Sequence, residues 1–126
     1  MKVEYHDADH FKCNDLRRWK LSLWGGISIR LHHWVEGDPR EYQHSHPWNF
    51  LTLVLRGGYT DVGDNRPDDT VRAPAVRLRS SEWRHSVVQV LPGTWSVVIT
   101  GRIIDRWKFW IGRWRVNEEE WNEREC

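Results

Sequence analysis

Three histidines carry the chemistry that this chain could perform. His44 and His46 bracket one serine in His44-Ser45-His46-Pro47-Trp48-Asn49-Phe50, and in an extended segment side chains two apart share a face. Two imidazoles so placed can grip one metal ion, and at least one further ligand must come from elsewhere in the fold. His85 is the candidate, because it opens a second strand-like run, His85-Ser86-Val87-Val88-Gln89-Val90-Leu91. Three neutral imidazoles leave a divalent cation its full charge and open coordination positions, which suits polarising a substrate oxygen or acidifying water. The plain alternative is three polar strand residues on a solvated face. If they do form a site, their ring nitrogens should converge to within about 4 Å of one another.

Other side chains could serve such a site. Tyr59 follows the Gly57-Gly58 turn and could handle a proton at the mouth of a barrel, or simply pack at a strand edge. Arg30 and His32 are two apart and share a face, and a guanidinium binds carboxylate or phosphate in a bidentate way. In Ile27-Ser28-Ile29-Arg30-Leu31-His32 the alternation turns the isoleucines and leucine to the core. Arg30 and His32 are then left in solvent, unless both faces of the strand are covered. His32 and His33 point to opposite faces, so at most one of them could join a metal. Trp48 is the aromatic expected beside the histidines. Trp110, in the aromatic-dense Trp107-Lys108-Phe109-Trp110, reads either as core or as a stacking wall for a planar ligand.

The elements that must position these residues read as strands. Trp19 to Trp24 ends at Gly25-Gly26, a hairpin signal. Ile27 to His32, Phe50 to Leu55, Ala75 to Arg79, His85 to Leu91, Thr94 to Thr100 and Arg106 to Ile111 follow, with turns at Glu36-Gly37-Asp38-Pro39-Arg40, Gly57-Gly58 and Pro92-Gly93. The opening to Asp15 reads as an irregular arm or an edge strand. Residues 61–74, rich in Asp, Gly, Asn and Pro, read as the longest loop. Asn117-Glu118-Glu119-Glu120 offers an N-cap with glutamate at the third helical position, so a short terminal helix is expected. Many short strands with frequent turns mean an all-β sandwich or barrel.

The 126 residues suit one domain over 1–126, with a core over about 19–112 and a tail and helix over 113–126. A formal net charge of +1 gives no field that selects nucleic acid or an acidic membrane, and acidic residues interleave the basic ones. Ten tryptophans supply a large apolar area for a small, tightly filled barrel. Cys13 and Cys126 form no C-x-x-C and no disulfide framework. Neither a signal peptide nor a run long enough to span a bilayer is visible, so the expected setting is cytoplasmic. A homodimer is compatible with the sequence.

The histidine spacing resembles the cupin family, whose motifs read G-x5-H-x-H-x3–4-E-x6-G and G-x5-P-x-G-x2-H-x3-N. His44 and His46 match the paired histidines, Gly57 or Gly58 the closing glycine, and His85 the histidine of the second motif, with Gln89 in place of its asparagine. Phe50 and Leu51 stand where the family has its glutamate ligand, and Ser80 and Glu82 replace the proline and glycine of the second motif. His44 to Phe50 and Arg56-Gly57-Gly58-Tyr59-Thr60 look still more like a small cupin-like group of phage and bacterial genomes, which reads H-D-H-P-W-D-F and L-R-G-G-Y-T-E. The resemblance implies a single small cupin-type β-barrel, or jelly roll. It also implies a divalent metal held by His44, His46 and His85, with Fe(II) favoured and Zn or Ni as alternatives. The missing glutamate points towards three-histidine non-haem iron oxygenases, with related isomerases and lyases beside them. Tyr59 and Arg30 would be the catalytic candidates, and Trp48, His32 and Trp110 would line the substrate pocket. The rival expectation is a non-catalytic cupin that binds a small polar or nucleotide-like ligand.

Overall fold

The computed structural model describes residues 2–7, 15–37, 42–63, 66–112, 114–117 and 119 of the chain. Twelve strands appear among them: β1 (Lys2–Asp7), β2 (Asp15–Ser22), β3 (Ser28–Glu36), β4 (Tyr42–Ser45), β5 (Phe50–Arg56), β6 (Gly58–Val62), β7 (Asp69–Arg72), β8 (Ala75–Arg79), β9 (Ser86–Val88), β10 (Thr94–Thr100), β11 (Lys108–Ile111) and β12 (Trp114–Val116). A six-stranded antiparallel sheet runs β1-β2-β3-β10-β5-β8. Facing it are two three-stranded antiparallel sheets, β12-β11-β4 and β7-β6-β9. The architecture is therefore an all-β sandwich of antiparallel sheets. No helix among the described residues is long and apolar enough to cross a membrane.

The period-2 alternation that marks the strands in sequence is also the burial pattern. Along β10 every other residue from Thr94 to Thr100 is buried, and β5 alternates in the same way from Phe50 to Val54. On β3 the face that goes inward is the reverse of what the alternation suggests, and across the sheet the inner face mixes Trp34, Phe50, Val54 and Val98 with many polar residues. Arg18, Ser28, Arg30, His32, Thr52, Thr94, Ser96 and Thr100 are all buried, whereas Ile29, Leu31, Leu51, Leu53, Val97 and Ile99 are only half-buried on the opposite face. The expectation that Arg30 and His32 lie in solvent is corrected: both point between the layers. The sheet has a cavity on its inner side, and polar side chains line it.

Several element boundaries also differ from the sequence reading. Of the two expectations for the opening residues, the edge strand holds: β1 pairs with β2 at one edge of the six-stranded sheet. Residues 61–74 are not one long loop: β6 runs to Val62 and β7 pairs back onto it from Asp69. The run from His85 shortens to β9, because Gln89 takes a positive φ of 50° and ends the ladder. The terminal helix expected after Asn117 lies almost wholly outside the described residues and gains no support, and Trp114–Val116 just before it is a strand.

Gly57-Gly58 has a steric role. Gly57 sits at φ 75°, in the left-handed region, and a Cβ there would collide with Thr94. A Cβ on Gly58 would run into the Val71 carbonyl. Thr94 Oγ1 accepts from the Gly58 amide at 3.0 Å, which ties this turn to the start of β10. The turn directs β6 away from β5 and into the opposite layer, where β6 meets β9.

Candidate metal centre

His44 and His85 are cross-strand neighbours. The His44 amide donates to the His85 carbonyl at 2.9 Å and the His85 amide returns the bond to His44 at 2.9 Å. Such a pair sets two side chains on one face within contact distance. His46, two residues beyond His44, adds a third imidazole, and its amide is held by the Ser81 carbonyl at 3.3 Å. The three ring centroids lie 4.8 Å (His44–His46), 4.8 Å (His44–His85) and 5.2 Å (His46–His85) apart. All three residues are buried, and one ligand nitrogen from each lies within 4.8 Å of the others. The separation exceeds the expected 4 Å, so closing on an ion of about 2.1 Å bond length requires a small inward rotation of the rings.

Asp61 on β6 organises the third ligand. Its carboxylate accepts from His85 Nδ1 at 2.8 Å, which leaves Nε2 as the nitrogen available to a metal. Arg66 donates to the same carboxylate at 2.7 Å, and the Trp83 indole N–H lies 3.2 Å from both of its oxygens. Asp61 is only 2% exposed. Burial alone would raise its pKa, but His85 and Arg66 outweigh burial and hold the carboxyl well below the ordinary range.

His46 is the residue that tests the fit of a metal. Burial, then the neighbouring His44, His85, Arg30 and Arg18, push its pKa well below 6.5, so the ring is neutral. Its Nδ1 is buried without a hydrogen-bond partner among the described residues. A buried imidazole nitrogen left in this way costs about 1–3 kcal/mol. A neutral, water-excluded imidazole beside two others is the donor set that Zn, Fe, Ni or Cu takes. Among the described residues the cluster contains these three histidines and no carboxylate ligand.

Aromatic rings enclose His46. Trp48 stacks on it at 4.8 Å, Phe50 meets it edge-on at 4.6 Å and Trp107 lies 5.1 Å away. Opposite them, Arg30, His32, Thr52 and Ser96 from the six-stranded sheet complete a cavity of about 60 Å³, which also takes in Tyr59 and Asp61. That is room for a few waters or the reacting end of a small molecule.

Solved structures share this arrangement of strands. A mannose-6-phosphate isomerase candidate from Ralstonia eutropha JMP134 superposes with a TM-score of 0.63 at 14% identity, over 77% of this chain and 98% of that one. An RmlC-like cupin protein from the same organism gives 0.59 at 12%, over 93% and 69%. The fold is that of the cupins. Fe(II) HppE gives 0.61 at 9% identity over 79% of this chain, which spans 56% of the HppE chain. No family profile matches the sequence, and no curated protein matches it.

In this cupin-type fold the residues nominated from sequence mostly meet. His44, His46, His85, Trp48, Arg30, His32 and Tyr59 all line the one cavity. Arg30 lies 4.7 Å above the Trp48 ring, donates to Ser28 Oγ at 3.2 Å and meets no carboxylate among the described residues. Burial and Arg18 lower its pKa to about 10, so it stays cationic at neutral pH. His32 is held neutral by burial, then by Arg18 and Arg30. Tyr59, raised by burial, is a neutral phenol. Trp110 is the exception. It does not line the cavity, and its ring packs under the Arg84 guanidinium at 4.5 Å. Trp107, three residues earlier, takes the place expected for it, because it shares the inward side with Phe109, on which it stacks, while Trp110 falls on the alternate side of β11.

Asp61 and Arg18 are among the cavity residues that sequence reading missed, as are Arg77 and Arg79. Asp61 was hidden by the assignment of residues 61–74 to a loop. Had the strand after Gly58 been extended to Val62, Tyr59 and Asp61 would have fallen on one face. Phe50 stands where the cupin motif has its glutamate, and it faces the histidines as a ring, while Leu51 faces away.

Proposed function

We propose that this cupin is a mononuclear metal protein that acts on a small anionic molecule, most simply as a non-haem iron oxygenase. The observation that carries this reading is the buried trio of His44, His46 and His85, with His85 Nδ1 fixed by Asp61. A divalent metal, Fe(II) by preference, would supply Lewis acidity and open positions for exogenous ligands. With Phe50 in place of a fourth ligand, the chain keeps those positions free and dry. Trp48, Phe50 and Trp107 exclude water from the reacting group and strengthen charge interactions there. Arg30, a buried cation without a carboxylate partner among the described residues, binds and orients the anionic end of the substrate. Tyr59, a neutral phenol, can donate a proton to it.

The test is oxygen consumption by iron-loaded protein across small thiols, acids and nucleotides, with metal content measured in parallel. Turnover of one compound supports the reading. Tight binding of a compound to metal-free protein with no turnover makes this a binding module instead, with the aromatic rings as its walls. For a compound that is turned over, Arg30→Gln is expected to raise KM by about 10–100-fold, the worth of a charge-assisted hydrogen bond. An unchanged KM would remove Arg30 from substrate binding.

A further inference from the structure

A second space adjoins the histidine cavity. It is a groove of about 230 Å³ where β2 finishes, β3 begins and β10 ends, and Arg30 and Trp48 line both it and the cavity. These two side chains form the partition. The Arg30 guanidinium lies 4.7 Å from the centre of the Trp48 ring, and Trp48 in turn stacks on His46 at 4.8 Å. Arg30 Nε donates to Ser28 Oγ at 3.2 Å, and Ser28 Oγ shares a 2.5 Å hydrogen bond with Thr100 Oγ1. Ser28 and Thr100 are the buried floor of the groove, and their hydroxyls are engaged with each other and with Arg30. The remaining walls are largely apolar: Leu23 is half-buried, Ile27 is 41% exposed and Ile103 is 74% exposed. An exposed apolar wall beside a buried cation suits an amphipathic guest.

We propose that this groove is a tail subsite, and that the molecule taken is a carboxylic acid with an apolar chain of about four to seven carbons. The inference rests on the cavity being a substrate site and adds what lies beyond Arg30. The cavity of about 60 Å³ holds a reacting end of a few heavy atoms and no more. The rest of a larger molecule needs a space that meets the cavity at Arg30, and the groove is that space. Its volume has room for about seven groups the size of a water or a methylene. Together the two spaces approach the roughly 300 Å³ at which small-molecule sites begin. Because Arg30 Nε is used by Ser28, a carboxylate meets the guanidinium at its Nη edge, which offers the two parallel donors that two oxygens need. Lys20, paired with Arg30 in the β2–β3 register, brings a second cation to the groove. Laying the chain along Leu23, Ile27 and Ile103 takes its apolar surface and theirs out of water.

The experiment is calorimetric titration of straight-chain acids, acetate to octanoate, into zinc-loaded and metal-free protein. Affinity is expected to rise about two- to fourfold per added carbon from butyrate to heptanoate, the worth of a methylene buried in a half-open groove, and then to level off. The rise should appear with and without zinc, because the groove does not touch the histidines. Ile27→Asn and Ile103→Asn replace exposed side chains, so the fold survives, and circular dichroism should match the parent. Combined, they are expected to weaken hexanoate at least about tenfold and to leave acetate, which does not reach them, unchanged. Arg30→Gln should weaken every acid alike and keep the rise per carbon, so failure of the groove and failure of the anion site read out separately. An affinity that stays flat beyond acetate, or a rise per carbon equal in parent and double variant, would overturn the proposal. So would the absence of any acid binding at about 10 mM, or binding of hexyl phosphate where hexanoate does not bind.

Discussion

Replacing His46 with leucine is expected to abolish metal binding while leaving the metal-free protein as stable as the parent, or more so. The parent should bind about one divalent ion per chain by elemental analysis, and the His46→Leu protein close to none. The loss should exceed the roughly 10–100-fold that removing a supporting residue costs, because a ligand itself is gone. Leucine nearly fills the imidazole's volume between Trp48, Phe50 and Trp107 and removes the buried Nδ1 that has no partner among the described residues. Relief of that group is worth about 1–3 kcal/mol, set against imperfect packing of the new side chain. A thermal shift on adding Zn or Fe(II) should appear in the parent and vanish in the variant. If the variant keeps its metal, the ion lies elsewhere. If the metal-free variant instead loses several kcal/mol, the three histidines are a packing cluster.

Asp61→Asn should weaken both the site and the fold. Asparagine keeps the shape of the side chain but lacks the charge that Arg66 pairs with and one of the two oxygens that His85, Arg66 and Trp83 share. Breaking a buried pair by removing one partner costs about 3–5 kcal/mol, and the lower end applies because Arg66 retains some contact with water. Metal affinity should fall about 10–100-fold, because the His85 ring loses the acceptor that fixes its tautomer. The pH dependence has a definite sign. Folding holds the Asp61 carboxyl below its ordinary value, so its contribution is complete above the unfolded pKa of about 3.9 and is lost as pH falls towards the folded one. Denaturant titrations should therefore show parent and variant far apart at neutral pH and converging only in strong acid. A constant gap at every pH would mean that the carboxylate charge is not what the fold uses.

The histidine pair, the lone later histidine and the glycine turn were legible in the sequence because each is a local fact. Two residues apart on an extended chain means one face, and a Gly-Gly dipeptide after a strand means a reversal that other residues resist. His85 could be nominated by its resemblance to the second cupin motif, but the reciprocal backbone bonds that seat it against His44 join residues 41 apart, and only the folded sheet supplies them. Asp61 shows the same limit: its value lies in meeting His85, and nothing near it in the chain announces that meeting. The orientation of β3 is the clearest case. Alternation divides Ile29 and Leu31 from Arg30 and His32, yet it cannot say which set faces in, because the pattern is symmetric under turning the strand over. Hydrophobicity breaks that symmetry correctly when the inside is packed core. Here the inside holds a cavity lined by Arg30, His32, Thr52 and Ser96, so the tertiary structure turned the polar set of β3 inward and left Ile29 and Leu31 on the outer face.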